Sequence, residues 1–354
     1  MAADQVAPHV KSFLKQLIGE NGPLRIDHYM ALCLGHPTLG YYMTRDPFGA
    51  SGDFTTSPEI SQIFGELLGV WCVAAWEATG SPAPFALVEL GPGRGTLMAD
   101  ILRATSGMAE FSAAAEVHLV EMSPVLQGLQ REKLAGRATW HASIDSLPEQ
   151  PMIFVANEFF DALPVRQMVS QNGQLFERHV VVKDGKLALA ELPVLAKASG
   201  TDGVQETSPI AMVIAEGLGA RLAALGGAGL VIDYGHLKSA PGDTLQALKG
   251  HKPSGVLDYP GSSDLTAHVD FEALAVGFAA GGAEALPPMT QGAFLKAMGH
   301  DMRVKRLVQK LHSQAAQEFL AGAARLVDDD QMGRLFKVLG VAQLGHAPLY
   351  PFEV

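Results

Sequence analysis

The sequence predicts an α/β protein with a doubly wound, mixed sheet, and three groups of residues carry that prediction. From Ala86 to Thr96 the chain reads as strand, turn and helix: Leu87, Val88 and Leu90 form a short apolar run, glycines stand at 91, 93 and 95, and Leu97, Ile101 and Leu102 recur at helical spacing. Val117-His118-Leu119-Val120-Glu121 reads as the next parallel strand, reached through an alanine-rich helix and crossover. Ile153 to Ala156 and Leu230 to Ile232 are further buried strands, and Phe336 to Val341 suits a last one.

The glycine turn is the centre of the reading. Three glycines let the backbone turn sharply and leave no side chain between main-chain N–H groups and a ligand resting on the helix N-terminus. A dinucleotide loop would want its third glycine at position 96, where this chain has Thr96. Glu121 lies 26 positions beyond Gly95 and ends the next strand, where its two oxygens can accept both hydroxyls of a ribose. A strand-end acid, Glu89, followed by Gly91-Pro92-Gly93-Arg94-Gly95 resembles motif I of the class I S-adenosylmethionine methyltransferases.

Composition bounds the rest. With 354 residues, 48% hydrophobic and 18% charged, the chain can bury a large core. Lys+Arg 26 against Asp+Glu 37 gives a net charge of −11, which argues against a nucleic-acid footprint and suits a cationic substrate better. Cys33 and Cys72 are alone and in apolar settings, so neither a disulfide framework nor a cysteine metal site is expected. The 12 histidines show no metal-ligand spacing, and no metal is expected. Met1 to Glu20 lacks a signal-peptide core and is not Arg-rich, and no run reaches the roughly 18 apolar residues of a membrane span. The expectation is a cytoplasmic protein with no membrane insertion.

Taken in order, residues 6 to 34 read as two helices separated by Asn21-Gly22-Pro23. A polar, glycine-punctuated segment through Gly52-Asp53-Phe54-Thr55-Thr56 follows. Ser57 and Pro58 then look like an N-cap and a first helical proline opening one helix from Glu59 to about Ala78. After the strand at 153–156, Asn157-Glu158-Phe159-Phe160-Asp161 is a polar turn. Gln171-Asn172-Gly173 and Lys183-Asp184-Gly185 signal hairpins between Val165 and Leu192, and Leu195 to Glu206 reads as a polar loop. Asp233-Tyr234-Gly235-His236 ends the strand at 230–232, and Gln291 to Val327 is helical.

Six stretches carry a closer resemblance. Residues 52–69 (GDFTTSPEISQIFGELLG), 88–96 (VELGPGRGT), 156–164 (ANEFFDALP), 232–236 (IDYGH), 264–271 (DLTAHVDF) and 290–295 (TQGAFL) resemble the MidA family, protein arginine methyltransferases that assist assembly of respiratory complex I. The resemblance runs from about residue 22 to 342. It departs at Ala142, where several relatives carry an acid, and matches poorly over 170–215.

That resemblance implies a class I (Rossmann-like) mixed seven-stranded sheet with an N-terminal helical cap and active-site loop over 1–80. The donor-binding domain would cover 81–354, with a β-hairpin and helical insertion at about 163–210. It implies S-adenosyl-L-methionine as the cofactor, held by Glu89, Gly91, Pro92, Gly93, Gly95, Glu121, Met122 and Ser143, with Asp53, Thr56 and Ser57 closing over it. Asn157, Glu158 and Asp161 would orient an acceptor guanidinium, which needs carboxylates because it stays protonated. The plainer reading leaves Glu158 solvated and Asp161 as a helix cap. His236 could accept a proton, or be hydrogen-bonded structure. The implied partner is a protein substrate, the large quinone-site subunit of complex I, and a homodimer stays open. A different methyl acceptor, or a donor-binding assembly protein without turnover, remain the rival readings.

Overall fold

The computed structural model describes residues 3–47, 49, 52, 53, 55–197 and 202–352. Their contacts divide the chain into two compact units, one of residues 1–54, 161–211 and 238–270, the other of 55–160, 212–237 and 271–354.

The second unit carries the expected mixed sheet. Its strands are β1 (Phe85–Leu90), β2 (Ala115–Val120), β3 (Thr139–His141), β4 (Met152–Asn157), β5 (Gly227–His236), β6 (Glu284–Ala285) and β7 (Phe336–Ala342). They lie in the order β6-β7-β5-β4-β1-β2-β3, and Met289–Thr290 also pairs with β7. Strands β1 to β5 run parallel, while β7 runs antiparallel to both its neighbours, β5 and β6. Every residue of β1 and β4 is buried, so these strands read as continuous apolar runs rather than alternating ones. Strand order reverses between β1 and β4, the crevice where doubly wound sheets bind ligands. Register sharpens this: Leu90 pairs with Val120 and with Ala156, and Ile232 with Asn157. Gly91, Glu121 and Glu158 therefore leave one edge of the sheet at one level.

Three helices of this unit matter for the site: α1 (Gln62–Ala78), α2 (Thr96–Thr105) and α3 (Pro124–Lys133). The single helix expected from Glu59 is in fact two. Ser57–Ile60 forms one turn, Ser61 breaks it in an extended conformation, and the Ser61 hydroxyl then accepts from Ile63 N–H as the cap of α1. A serine offers the backbone this alternative to continued helix. Ser57, expected as the cap, makes no capping hydrogen bond; Thr56 precedes the turn instead. Gly65 and Gly69 let α1 lie against α2, since a Cβ at Gly65 would come 2.5 Å from the Asp100 Cβ. Phe64, Trp71, Leu87, Ile101, Val155, Leu230 and Val338 share the resulting core.

The first unit contains the expected helices, Ala3–Asn21 and Ile26–Gly35. Between them Leu24–Arg25 pairs with Gln174–Lys183 in a five-stranded sheet. Both hairpin signals hold, because Asn172, Gly173, Asp184 and Gly185 all have positive φ, as primed turns require. Of the loop expected over Leu195–Glu206, residues 198–201 lie outside the described residues and Gly203–Thr207 is a strand. Leu14, Ile26, Tyr29, Met30, Val180 and Leu265 form this unit's core.

Packing of β5 on β4 leaves no tolerance at Gly229, where a Cβ would come 1.9 Å from the Phe154 ring. Gly229→Val should destabilise the protein by about 3 kcal/mol or more. Urea denaturation followed by tryptophan fluorescence checks this; an unchanged midpoint would show that Phe154 moves aside freely.

Candidate active site

The site begins where β1 ends. Gly91, Gly93 and Gly95 have φ of 62°, 51° and 75°, values a side chain rarely adopts. Gly91 N–H donates to Val120 O at 3.0 Å, joining the loop to the end of β2, and Gly95 N–H closes the turn on Pro92 O at 2.7 Å. Gly91 meets a second demand: a Cβ there would lie 2.9 Å from Cδ2 of Phe159, in the turn that follows β4. The glycine loop and the 157–160 turn are thus packed directly on each other.

Two acids flank the loop. Glu89 is buried and accepts from Met98 N–H, while its Oε2 has no hydrogen-bond partner. Burial is the main reason its carboxyl is pushed up to about 8, helped by the charge of Glu121. Glu121 accepts from Ser123 N–H at 2.7 Å and from Gln130 Nε2 at 3.2 Å, and its own N–H donates to His141 O at 2.9 Å. Burial raises it to about 6, against the pull of those donors. Glu121 therefore stays ionised at neutral pH beside a largely protonated Glu89. A glycine loop with no side chain at 91, 93 or 95, a buried carboxyl oxygen at Glu89 with no partner among the described residues and a strand-end acid fit a polar organic ligand such as S-adenosylmethionine. Met122 is 61% exposed next to Glu121, and Ser143 donates to Asp145 at 3.3 Å beyond β3.

The third part is the turn after β4. Glu158 has a φ of 51°, a strained conformation for a non-glycine residue of the kind that clusters at functional sites. Its Oε1 accepts from Ser57 N–H at 3.0 Å and from Asn157 Nδ2 at 3.2 Å. Ser57 Oγ and Asn157 Oδ1 are buried without a hydrogen-bond partner among the described residues. Thr56 is buried just before, its carbonyl accepting from Glu59 and Ile60 N–H. Glu59 accepts from the Thr96 hydroxyl at 2.5 Å, tying this turn to the start of α2.

Two further residues hold these parts in place. Asp233, the acid of the 233–236 ending noted in the sequence, is fully buried in β5, and its carboxylate accepts from Phe160 N–H at 3.0 Å and Tyr234 N–H at 2.9 Å. Gln130, on α3, is buried between the glycine loop and Glu121. Gln130 was not foreseen, since nothing local distinguishes a buried glutamine from a solvated one. His236 is the last residue of β5, four beyond the Ile232 that pairs with Asn157. Four residues of extended strand set it about 13 Å further along the strand direction than Asn157.

Asp53 and Asp161 belong to the first unit. There Asp53 accepts from the Tyr41 hydroxyl and from Gly250 N–H, both at 2.6 Å. Asp161 is buried, and its carbonyl accepts from Ala267 N–H. Asp264, a residue the sequence did not single out as a site, accepts from the Tyr42 hydroxyl at 2.7 Å; burial foremost, then the charges of Asp161 and Asp53, push it up to about 7. Of the sequence candidates the structure therefore gathers Ser57, Glu89, Gly91, Gly93, Gly95, Glu121, Asn157 and Glu158 at one edge of the second unit's sheet. Phe54, in the segment expected to close over the donor, lies outside the described residues.

If the Gly91–Phe159 contact sets the loop, Gly91→Ala should weaken S-adenosylmethionine binding at least tenfold, because the added methyl must displace the ring and strain the backbone at once. Titration calorimetry reads this directly; wild-type affinity in the variant would show that the contact is incidental.

Comparison with known proteins agrees with this geometry. A family described as S-adenosyl-L-methionine-dependent methyltransferases matches residues 67–289. Proteins named protein arginine methyltransferase NDUFAF7, mitochondrial, are similar along nearly the whole chain. That of Xenopus tropicalis is 39% identical over 92% of this chain and 83% of its own length, and that of Homo sapiens 37% over 95% and 83%. A Burkholderia thailandensis structure with S-adenosyl-homocysteine bound superposes with a TM-score of 0.82 at 29% identity, covering 96% of this chain and 93% of its own. The names of the curated relatives overturn the expectation of a cytoplasmic protein, since they are mitochondrial. A match over most of the sheet-bearing unit, together with a glycine loop and flanking acids that suit this donor, places the chain in the family of S-adenosyl-L-methionine-dependent methyltransferases.

Proposed function

We propose that this methyltransferase acts on an arginine of a protein substrate, a subunit of complex I, during assembly. The relatives named protein arginine methyltransferases support the acceptor type. The resemblance of residues 52–69 and 156–164 to the MidA family supports the assembly role and points to the large quinone-site subunit. A net charge of −11 suits a cationic acceptor.

The observation that carries the reading is the strained Glu158, pinned through one oxygen by Ser57 N–H and Asn157 and packed, through Phe159, on Gly91. Bound S-adenosylmethionine supplies an electrophilic methyl group on a sulfonium. The protein has to align the acceptor nitrogen with it and exclude water. Two hydrogen bonds on Oε1 fix the Glu158 carboxylate in direction, so that it can receive the planar N–H fork of a guanidinium. Asn157 Oδ1 offers a second acceptor in the same turn. The nitrogen that gains the methyl gives up a proton, and a carboxylate beside the fork lowers the cost of the charge held there. On the resemblance alone, residues 163–210 are proposed as an insertion.

The test uses the full chain, methyl-labelled donor and the large quinone-site subunit, with modified residues located by mass spectrometry. Label on arginine is expected. Glu158→Gln should lower kcat about 100-fold while leaving the donor Kd within twofold, the pattern for a group needed in the transition state rather than for donor binding. Label on another residue type, or a wild-type kcat in Glu158→Gln, would defeat the proposal.

A further inference from the structure

Gln130 is fully buried on α3, yet both ends of its amide are engaged. Its Nε2 donates to Gly93 O at 2.7 Å and to Glu121 Oε2 at 3.2 Å. Its Oε1 accepts from Trp140 Nε1 at 2.8 Å. One side chain thus touches the glycine loop, the strand-end acid of β2 and the residue before the end of β3. Gly95 lies beside it, a Cβ there standing 3.4 Å from the Gln130 Cγ, an ordinary contact distance. On the outer face of Trp140, Arg131 stacks with its guanidinium carbon 4.1 Å from the ring centroid.

We propose that Gln130 is a positioning residue for the methyl donor, locking the glycine loop, the ribose-binding acid and the Trp140 wall into one spacing. This rests on the reading of Gly91–Gly95 and Glu121 as the donor site. A glutamine suits the place because it must donate to two oxygens and accept from one N–H at once. Glutamate could not donate while ionised, and an apolar residue would leave Gly93 O and Trp140 N–H without this partner. Its amide also favours the ionised form of Glu121, the form that accepts ribose hydroxyls. Of the titratable groups, Glu89 on β1 interacts with that acid and in turn with Lys133 on α3, while the backbone of His141 on β3 accepts from Glu121 N–H and its ring pairs with His118 on β2; burial holds both histidines below their ordinary range. They are common to wild type and variant, so a difference between the two reports on Gln130.

Sign follows from the chemistry. Only the ionised Glu121 can accept both ribose hydroxyls through both oxygens, so donor affinity falls as pH drops through the region of 6. Without the Gln130 donor the charged form loses support, and the midpoint moves up. The experiment is calorimetric titration of the full chain with S-adenosyl-homocysteine between pH 5 and 8, for wild type, Gln130→Met, Gln130→Glu and Glu121→Ala, with thermal unfolding of each. Gln130→Met is expected to weaken binding about tenfold at pH 7.5 and to raise the midpoint by at least half a pH unit. Gln130→Glu, which removes the donor without changing shape, should do the same and so stands in if the methionine variant folds poorly. If both Gln130 variants lose only thermal stability while Kd and midpoint stay at wild-type values, the positioning role is wrong. Weakened binding in Glu121→Ala together with unaffected Gln130 variants would overturn that role alone; unaffected binding in all three would overturn the ribose reading as well.

Discussion

The contact between Gly91 and Phe159 is the constraint from which the rest of the site follows. A glycine with positive φ at the end of β1 would be unremarkable in a turn, but here the missing Cβ is also the space an aromatic ring occupies. That ring belongs to the turn holding Asn157 and Glu158, so the loop that suits a donor and the turn proposed to receive an acceptor cannot move independently. The same turn is held by Asp233, whose carboxylate accepts from Phe160 N–H, and by Ser57 N–H, which donates to the Glu158 carboxylate. A methyl transfer asks mainly for alignment. A site assembled from mutually packed turns meets that demand by fixing position, with Glu158 proposed to orient the acceptor.

Electrostatics divide the crevice in two. Glu89 and Glu121 leave neighbouring strands, and burial raises both, but only Glu121 collects enough donors to remain ionised near neutral pH. Burial thus favours the neutral form more strongly at Glu89, under the loop, than at Glu121, which the Ser123 and Gln130 donors support. Separating the two states of one residue type by environment is a general way of giving similar side chains different tasks.

What was legible in the sequence was what depends on local backbone chemistry. The glycine loop, the strand-end Glu121, the hairpin turns at Asn172-Gly173 and Asp184-Gly185, and the last strand all follow from turn geometry and apolar patterning, and all are present. Helix starts were less legible, because Ser57 and Ser61 compete for the same role and the fold alone selects Ser61. Gln130 was missed for a different reason: burial of a polar side chain depends on a partner 37 positions away, which no local pattern records; Asp233 was legible as a strand-end acid but not as the buried acceptor of Phe160 N–H, 73 positions away. Glu158 was legible as a residue but not as a strained one. Location was misjudged because absence of a recognisable leader was given weight that the mitochondrial relatives do not support.

The central claim is that the donor loop and the 157–160 turn respond as one body. Hydrogen–deuterium exchange of the full chain, with and without S-adenosyl-homocysteine, tests it most directly. The account predicts that ligand slows exchange together in the 91–95 loop, the 57–60 turn and the 157–160 turn. Protection confined to the glycine loop and Glu121, with the two turns unchanged, would contradict it.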